Sequence, residues 1–260
     1  MSRSHDRGTR NGEQDARVIE ILRAMKDDVK LVAPSLATWW LHHLKHSEGR
    51  YLDILSFFRP SERGGDILEV GAVPGQFTVL LKELGYRVRG VDLDPDRVGG
   101  LWSKYGLEVD RVDIEQEPLP FASGSFDLVL FTETLEHLRL NPLLALREIH
   151  RVLRPGGRMI LSTNHITPVH RLKFFLGRPY HANALDEFRK LEELGHMGHF
   201  RIYQWDEVRS FCEFVGFDIS QRAYRGPVLL GRKAGAVLSL LPGSVRDNFR
   251  HSVYAIAEKS

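Results

Sequence analysis

Glu69, Gly71, Gly75 and Asp92 are a spaced set whose residue types suit a nucleotide-like ligand with a cationic end. The glycines let the backbone turn tightly and approach a ligand, and the helix start that follows offers unpaired N–H groups. Asp92 ends an apolar run, where a carboxylate can accept hydrogen bonds from a ribose diol. Glu69 stands two residues before Gly71. An acid there is awkward beside a pyrophosphate but suits an ammonium through charge-assisted hydrogen bonds, direct or through water. The dinucleotide fingerprint G-x-G-x-x-G is not met, because Val73 occupies the place of its middle glycine. Histidine is the natural candidate for a base, since its ordinary pKa lies near neutrality. Two are candidates: His165 just after one apolar run, and His137 after another, where a structural hydrogen bond is the simpler role. His196 and His199 are three residues apart, but Gly195 and Gly198 argue against a rigid helix between them, and no metal site is expected.

These residues must be positioned by regular elements. Ile67, Leu68 and Val70 read as a strand, and Phe77, Leu80, Leu81 and Leu84 recur at helical spacing until Gly85. Val88–Val91 is a second strand, so Asp66–Asp92 is a βαβ unit. Pro95–Tyr105 reads as a helix and Leu107–Val112 as a short strand ending at Asp113. FDLVLF (Phe126–Phe131) has the near-continuous apolar character of a parallel strand buried on both faces. A helix opened by Asn141-Pro142 runs to the turn Arg154-Pro155-Gly156-Gly157, which feeds a strand over Arg158–Ser162. Towards the N-terminus, residues 1–15 are polar and aperiodic, as in a disordered tail. Residues 16–60 form a helical cap: one helix to Val32, a second capped by Ser35 and holding Trp39 and Trp40, and a third over Tyr51–Phe58.

The runs FDLVLFTETLEHL and ALREIHRVLRPGGRMILST, with Glu69-x-Gly71, Asp92 and Asp113 at suitable intervals, resemble the class I S-adenosylmethionine (SAM)-dependent methyltransferases. Within that class they are similar to the methyltransferase-11 and UbiE-like groups. The resemblance covers Asp66–Thr163, and Val73 is its departure from the glycine motif. It implies an α/β fold: a doubly wound, Rossmann-like, seven-stranded sheet, mostly parallel with an antiparallel last strand, with helices on both faces. That domain would span 61–260. It also implies that Glu69, Gly71 and Gly75 hold the methionine end of SAM and that Asp92 binds the ribose hydroxyls. Leu93 would flank the adenine, Asp113 would accept from the adenine amino group with the Ile114 backbone nearby, and Thr132 would face the reacting end.

In this fold, structure specific to the acceptor sits after the fifth strand. The segment from about 164 to 200 fits no core element and carries Arg171, Lys173, Phe174, Phe175, Arg178, Tyr180 and several histidines, so it reads as that insert. Trp205–Val215 reads as a helix and His251–Glu258 as the last strand.

The resemblance and the lack of an appended nucleic-acid or protein-binding module point to a small-molecule, glycan or lipid-linked acceptor. The basic-aromatic Arg171–Tyr180 and the apolar Val228–Leu241 add a possible peripheral membrane surface. An RNA or protein methyltransferase is one alternative, although Thr132-Glu133-Thr134-Leu135 lacks the Asn-Pro-Pro-aromatic pattern of nucleic-acid amino-group methylators. A non-catalytic SAM-binding scaffold is the other, motivated by Val73 and the lack of an obvious base. The whole chain bounds these readings. Its 260 residues are 42% hydrophobic; the net charge of +2 argues neither for nor against nucleic acid, and no block of like charges marks a basic arm. On the missing module and motif, nucleic acid is not expected as a partner. The single cysteine, Cys212, excludes an intrachain disulfide and fits a reducing compartment. No apolar run reaches transmembrane length and no signal sequence is apparent, so a cytoplasmic location is expected. Oligomeric state is open.

Overall fold

The computed structural model describes residues 12–179, 183–194, 198–199, 201–228 and 241–260. Tyr180, His181, His196, residues 1–11 of the expected tail and most of the apolar Val228–Leu241 stretch lie outside the described residues. The chain divides into two compact units, Met1–Val112 and Asp113–Ser260. Its strands form a seven-stranded sheet in the order β3-β2-β1-β4-β5-β7-β6.

In the first unit, α1 (Gly12–Val32) begins four residues earlier than expected. Glu13 and Asp15 in its first turn complement the positive end of the helix dipole. Val18, Ile21, Leu22, Met25 and Val29 form its buried stripe. Helix α2 (Ala37–Leu55) is continuous where two helices were expected, and Ser35 is not its cap but part of the 3-10 turn Pro34–Leu36. The only breaker between the two expected helices is Gly49, which costs a helix about 1 kcal/mol, and burial of Leu44, Tyr51 and Ile54 on either side outweighs that. The tryptophan pair splits: Trp40 is fully buried while Trp39 is 40% exposed.

Strands β1 (Asp66–Val70), β2 (Arg87–Asp92) and β3 (Val109–Arg111) run parallel, with Val70 level with Val91 and Asp92 with Arg111. Helix α3 (Gln76–Glu83) crosses over between β1 and β2. The expected helix after Asp92 opens as a 3-10 turn, Pro95–Val98, before α4 (Gly99–Tyr105). Gly106 ends α4 in the left-handed region and Leu107 N still donates to Trp102 O, which delays β3 to Val109.

In the second unit, β4 (Phe126–Thr132) and β5 (Leu153–Asn164) are parallel. Strand β5 begins earlier than Arg158 because Leu153 already pairs with Phe126. The Pro-Gly-Gly stretch survives inside it as an irregularity, with a register shift between Phe126 and Leu128. Helix α5 (Pro142–Val152) starts as expected, with Asn141 accepting from Leu143 N at 2.9 Å. The insert contains α6 (Pro168–Phe175) and α7 (Ala184–Leu194), followed by α8 (Trp205–Phe214). Strand β7 (Arg250–Lys259) lies between β5 and β6 (Phe217–Val228), antiparallel to both, so β5 and β6 point the same way. Ligands of such sheets bind outside the carboxyl ends of the parallel strands.

Candidate functional site

In the first unit the glycine loop joins the carboxyl end of β1 to the start of α3. Gly71 N and Ala72 N both donate to Val91 O, at 2.9 and 3.1 Å, which folds the loop over the end of β2. Gly71 and Gly75 have φ of +82° and +85°, conformations that a side chain disfavours. The Asp92 carboxylate fastens the loop from the other side. Its Oδ2 accepts from Val73 N and its Oδ1 from Asp94 N, each at 2.9 Å. Burial pushes the Asp92 pKa up, against the pull of those two N–H groups. A carboxylate has about four lone-pair sites, so two remain for ribose hydroxyls. Val73, the departure from the glycine motif, thus contributes its backbone to the Asp92 anchor. Leu93 is exposed, and its carbonyl accepts from Arg111 Nη1 at 2.9 Å.

Glu69 is 5% exposed and its Oε2 accepts from the Thr78 hydroxyl at 2.6 Å. Burial raises its pKa to about 8; Thr78 opposes that shift, the Asp92 charge adds to it and Arg50 opposes it. The carboxyl therefore holds its proton at neutral pH until a cation arrives beside it. A residue missed in the sequence stands next to the loop. Gln76 is fully buried, accepts from Tyr51 Oη at 2.7 Å, meets His43 Nδ1 at 3.0 Å and donates to Trp40 O at 2.8 Å. Trp40 Nε1 in turn donates to Pro74 O at 2.8 Å. Helix α2 is thereby tied to the glycine loop by hydrogen bonds as well as packing.

In the second unit, Asp113 closes a tight turn. Its Oδ1 accepts from Glu115 N at 3.1 Å, its Oδ2 from Gln116 Nε2 at 2.6 Å, and its carbonyl from Gln116 N and Glu117 N. The Ile114 side chain is buried. Thr132 is the last residue of β4, half-buried and level with Ser162. Glu133 follows it at φ +52°, a strained setting for a non-glycine residue, with Oε1 accepting from Ser162 Oγ at 2.8 Å.

The two candidate bases belong to separate clusters. His137 Nδ1 contacts Gly198 O at 2.7 Å, and its ring meets His199 edge-on at 5.1 Å. Ligand-type atoms of Glu136, His137 and His199 lie within 4.8 Å of one another. Glu136 is fully buried and accepts from Thr163 Oγ1 at 2.8 Å, and Asn164 Nδ2 lies 2.8 Å from His199 Nδ1. One carboxylate and two imidazoles are thus gathered here, but the Asn164 amide can only donate to His199 Nδ1, which occupies that ring's lone pair, so the group is not assigned a cation. His165 follows β5, is 6% exposed, and has its ring 4.9 Å from that of Tyr224. Burial, then the charges of Arg171, His170 and Arg222, hold its pKa down to about 4, while a hydrogen bond to the Tyr203 backbone pushes the other way. The ring is neutral at physiological pH but a weak base.

Residues 68–161 match a family model described as "Methyltransferase domain". A ubiquinone biosynthesis O-methyltransferase from Xanthomonas oryzae is 34% identical over 128 residues, covering 47% of this chain and 52% of the relative. Another from Nitrosococcus oceani is 31% identical over 160 residues, covering 60% and 64%. The chain thus spans about half to two thirds of the length of these curated relatives. Among solved structures, an S-adenosylmethionine-dependent methyltransferase from Mesorhizobium loti superposes with a TM-score of 0.56 at 20% identity, covering 82% of this chain and 98% of that one. Residues 68–161 are therefore a methyltransferase domain, carried in a chain with the fold of the SAM-dependent methyltransferases.

Proposed function

We propose that this protein transfers the methyl group of SAM to a small-molecule acceptor. The observation that carries the reading is Glu69: a carboxyl buried at the end of β1, two residues before the glycine loop, where an arriving ammonium would supply the cation it lacks. Bound SAM supplies an electrophilic methyl on a sulfonium. The chain's own residues bind and orient it. Glu69 pairs with the ammonium, Asp92 accepts from the ribose hydroxyls, and Gly71 and Gly75 admit the backbone to close range. Asp113, Ile114, Leu93 and Thr132 are assigned the adenine and reacting-end roles that the resemblance implies. His165 and His137 are candidates to assist the acceptor, His165 as a neutral hydrogen-bonding group. Holding the acceptor in line with the methyl can supply about 7–11 kcal/mol of the barrier reduction.

The relatives' names favour an oxygen acceptor on a small molecule. A lipid-linked acceptor is supported by α6, which exposes Leu172, Phe174 and Phe175 beside Arg171 and Lys173. Among the described residues no helix is long and apolar enough to cross a membrane. Together with the lone buried Cys212, we place the protein in the cytoplasm. Calorimetric titration with SAM, followed by a labelled-methyl screen of metabolite and lipid extracts, tests the activity. Binding with transfer to an extracted small molecule is expected; binding without transfer to any fraction would favour the scaffold alternative.

The Glu69 proton gives this reading a pH signature. In the free protein the carboxyl titrates at about 8, and pairing with an ammonium favours the carboxylate and lowers that value. Binding therefore releases about one proton, and affinity rises roughly tenfold per pH unit from pH 6 towards 7.5. The rise ends where the ligand's own amine, with an ordinary pKa of about 7.7–8.0, begins to lose its charge. Calorimetry in buffers of different ionisation enthalpy reads the proton directly. A flat profile in the wild type, or unchanged proton release in Glu69→Gln, would remove Glu69 from the cofactor site.

A further inference from the structure

Two arginines at the carboxyl end of the second unit's sheet lack the acidic partners that their neighbours have. Arg201, Arg209 and Arg250 pair with Glu207, Asp206 and Asp247. Arg171, on α6, instead donates from Nη2 to the neutral Gln204 Oε1 at 2.7 Å. Arg222, on β6, has its guanidinium over the rings of Trp205 and Tyr224, at 5.3 and 5.5 Å. Neither joins an ion pair among the described residues. The nearby carboxylates are already engaged by other arginines, so the local positive charge is uncompensated.

Both guanidiniums converge on one place. Tyr224 lies between Arg222 and the His165 ring, 4.9 Å from the latter, and Gln204, which holds Arg171, precedes Trp205 in the chain. Tyr203 forms a parallel bridge with His165. His165 directly follows β5, and Arg222 and Tyr224 sit on β6, which runs parallel to β5, so this is the end of the sheet where ligands bind. His165 is 6% exposed, and its Nδ1 has no hydrogen-bond partner among the described residues. A buried polar atom left unmatched beneath two uncompensated cations is a site that an acceptor-rich ligand would complete. Burial is the main reason the His165 pKa is depressed, and the charges of Arg171, His170 and Arg222 lower it further.

The geometry points to an oxyanion site in which Arg171 and Arg222 hold a phosphoryl or carboxylate group of the methyl acceptor beside His165. Planar guanidiniums suit this role because each can fork two N–H donors onto two oxygens. That the oxyanion belongs to a methyl acceptor rests on the function proposed above; the site itself does not.

Inorganic pyrophosphate is the probe in solution, and phosphatidylcholine vesicles with and without phosphatidic acid present the same chemistry on a lipid headgroup. Wild-type protein is expected to bind pyrophosphate, or the anionic vesicles over the neutral ones. Arg171→Ala and Arg222→Ala should each weaken that binding by about tenfold. Arg147→Ala removes a guanidinium that lies over Phe214, also in the second unit, and should bind like wild type. SAM titration of every variant reports folding and the cofactor site. Pyrophosphate binding lost in the two variants assigns a soluble oxyanion, and vesicle binding alone, lost in the same two, assigns a headgroup. No binding of either probe, or an equal loss in Arg147→Ala, overturns the site. Pyrophosphate binding by a wild type that fails to bind SAM would instead overturn the methyltransferase reading and leave the oxyanion site standing.

Discussion

Asp92→Ala is expected to lower SAM affinity by about a hundredfold or more. Two hydrogen bonds from ribose hydroxyls to a carboxylate are worth roughly 1.5–3 kcal/mol each, and both are lost. The substitution also strips the acceptor from Val73 N and Asp94 N, which then lie in a partly buried loop without it. Part of the loss would therefore come from a loosened glycine loop. Asp92→Asn separates the two effects. Its amide keeps the shape and one acceptor oxygen but turns an N–H₂ towards the second backbone donor, so it should recover some affinity and little loop order. Titration with SAM reads the affinity, and amide hydrogen exchange at Val73 and Asp94 reads the loop. Unchanged affinity in Asp92→Ala with faster exchange would mean that this carboxylate serves the loop alone and that the ribose is held elsewhere.

The parts of this molecule legible in the sequence are those set by local pattern. The glycine loop, α3 and the acid at the end of β2 could be placed because glycine, helical period and strand period all switch within Asp66–Asp92. The antiparallel last strand was anticipated from the family resemblance. What escaped depends on residues far apart in the chain. Gln76 has nothing in its neighbourhood to mark it, since its partners Trp40, His43 and Tyr51 lie 25 to 36 positions away. Its one clue is a polar side chain at the first turn of a helix whose middle is the apolar run Val79–Leu81. The Glu136–His137–His199 group is hidden for the same reason, since His199 lies more than sixty positions from its two neighbours. Helix α2 reads locally as two segments, and only the burial of Leu44, Tyr51 and Ile54 in the fold makes it one.

The placement of Arg171 and Arg222 shows a further limit of pattern. Charge counts along the chain give a balance near neutral, and the basic-aromatic stretch that holds Arg171 does not set it apart from Lys173 or Arg178. Their meaning comes from pairing. The acids of α8 and α9 (Gly243–Asp247) are engaged by Arg201, Arg209 and Arg250, and only the fold reveals which cations are left over. Which cations keep an acidic partner is thus a property of the folded chain that no window of sequence displays.

Gly75→Ala is expected to destabilise the first unit by about 2–5 kcal/mol, and the reason can be divided experimentally. Gly75 sits at φ +85°, and a side chain in the left-handed region costs roughly 1–2 kcal/mol. A Cβ there would also stand 2.7 Å from Trp102 Cη2 and 2.9 Å from Cζ3, closer than atoms can approach, and overpacking of that kind costs about 1–3 kcal/mol. Trp102 cannot easily retreat, because it is buried and its Nε1 donates to Pro95 O at 2.8 Å. Calorimetric melting should show the midpoint falling by roughly 5–15 °C. In a Trp102→Leu background the ring is gone, so the added penalty of Gly75→Ala should shrink to the backbone share of about 1–2 kcal/mol. Equal penalties in the two backgrounds would show that the ring does not dictate glycine at this position. The functional consequence follows from the same contact. A loop pushed away from Trp102 moves Pro74, whose carbonyl is bonded to Trp40, and Val73, whose N–H is bonded to Asp92. Cofactor affinity should therefore fall in Gly75→Ala even at temperatures where the protein remains folded, and recover in part with Trp102→Leu.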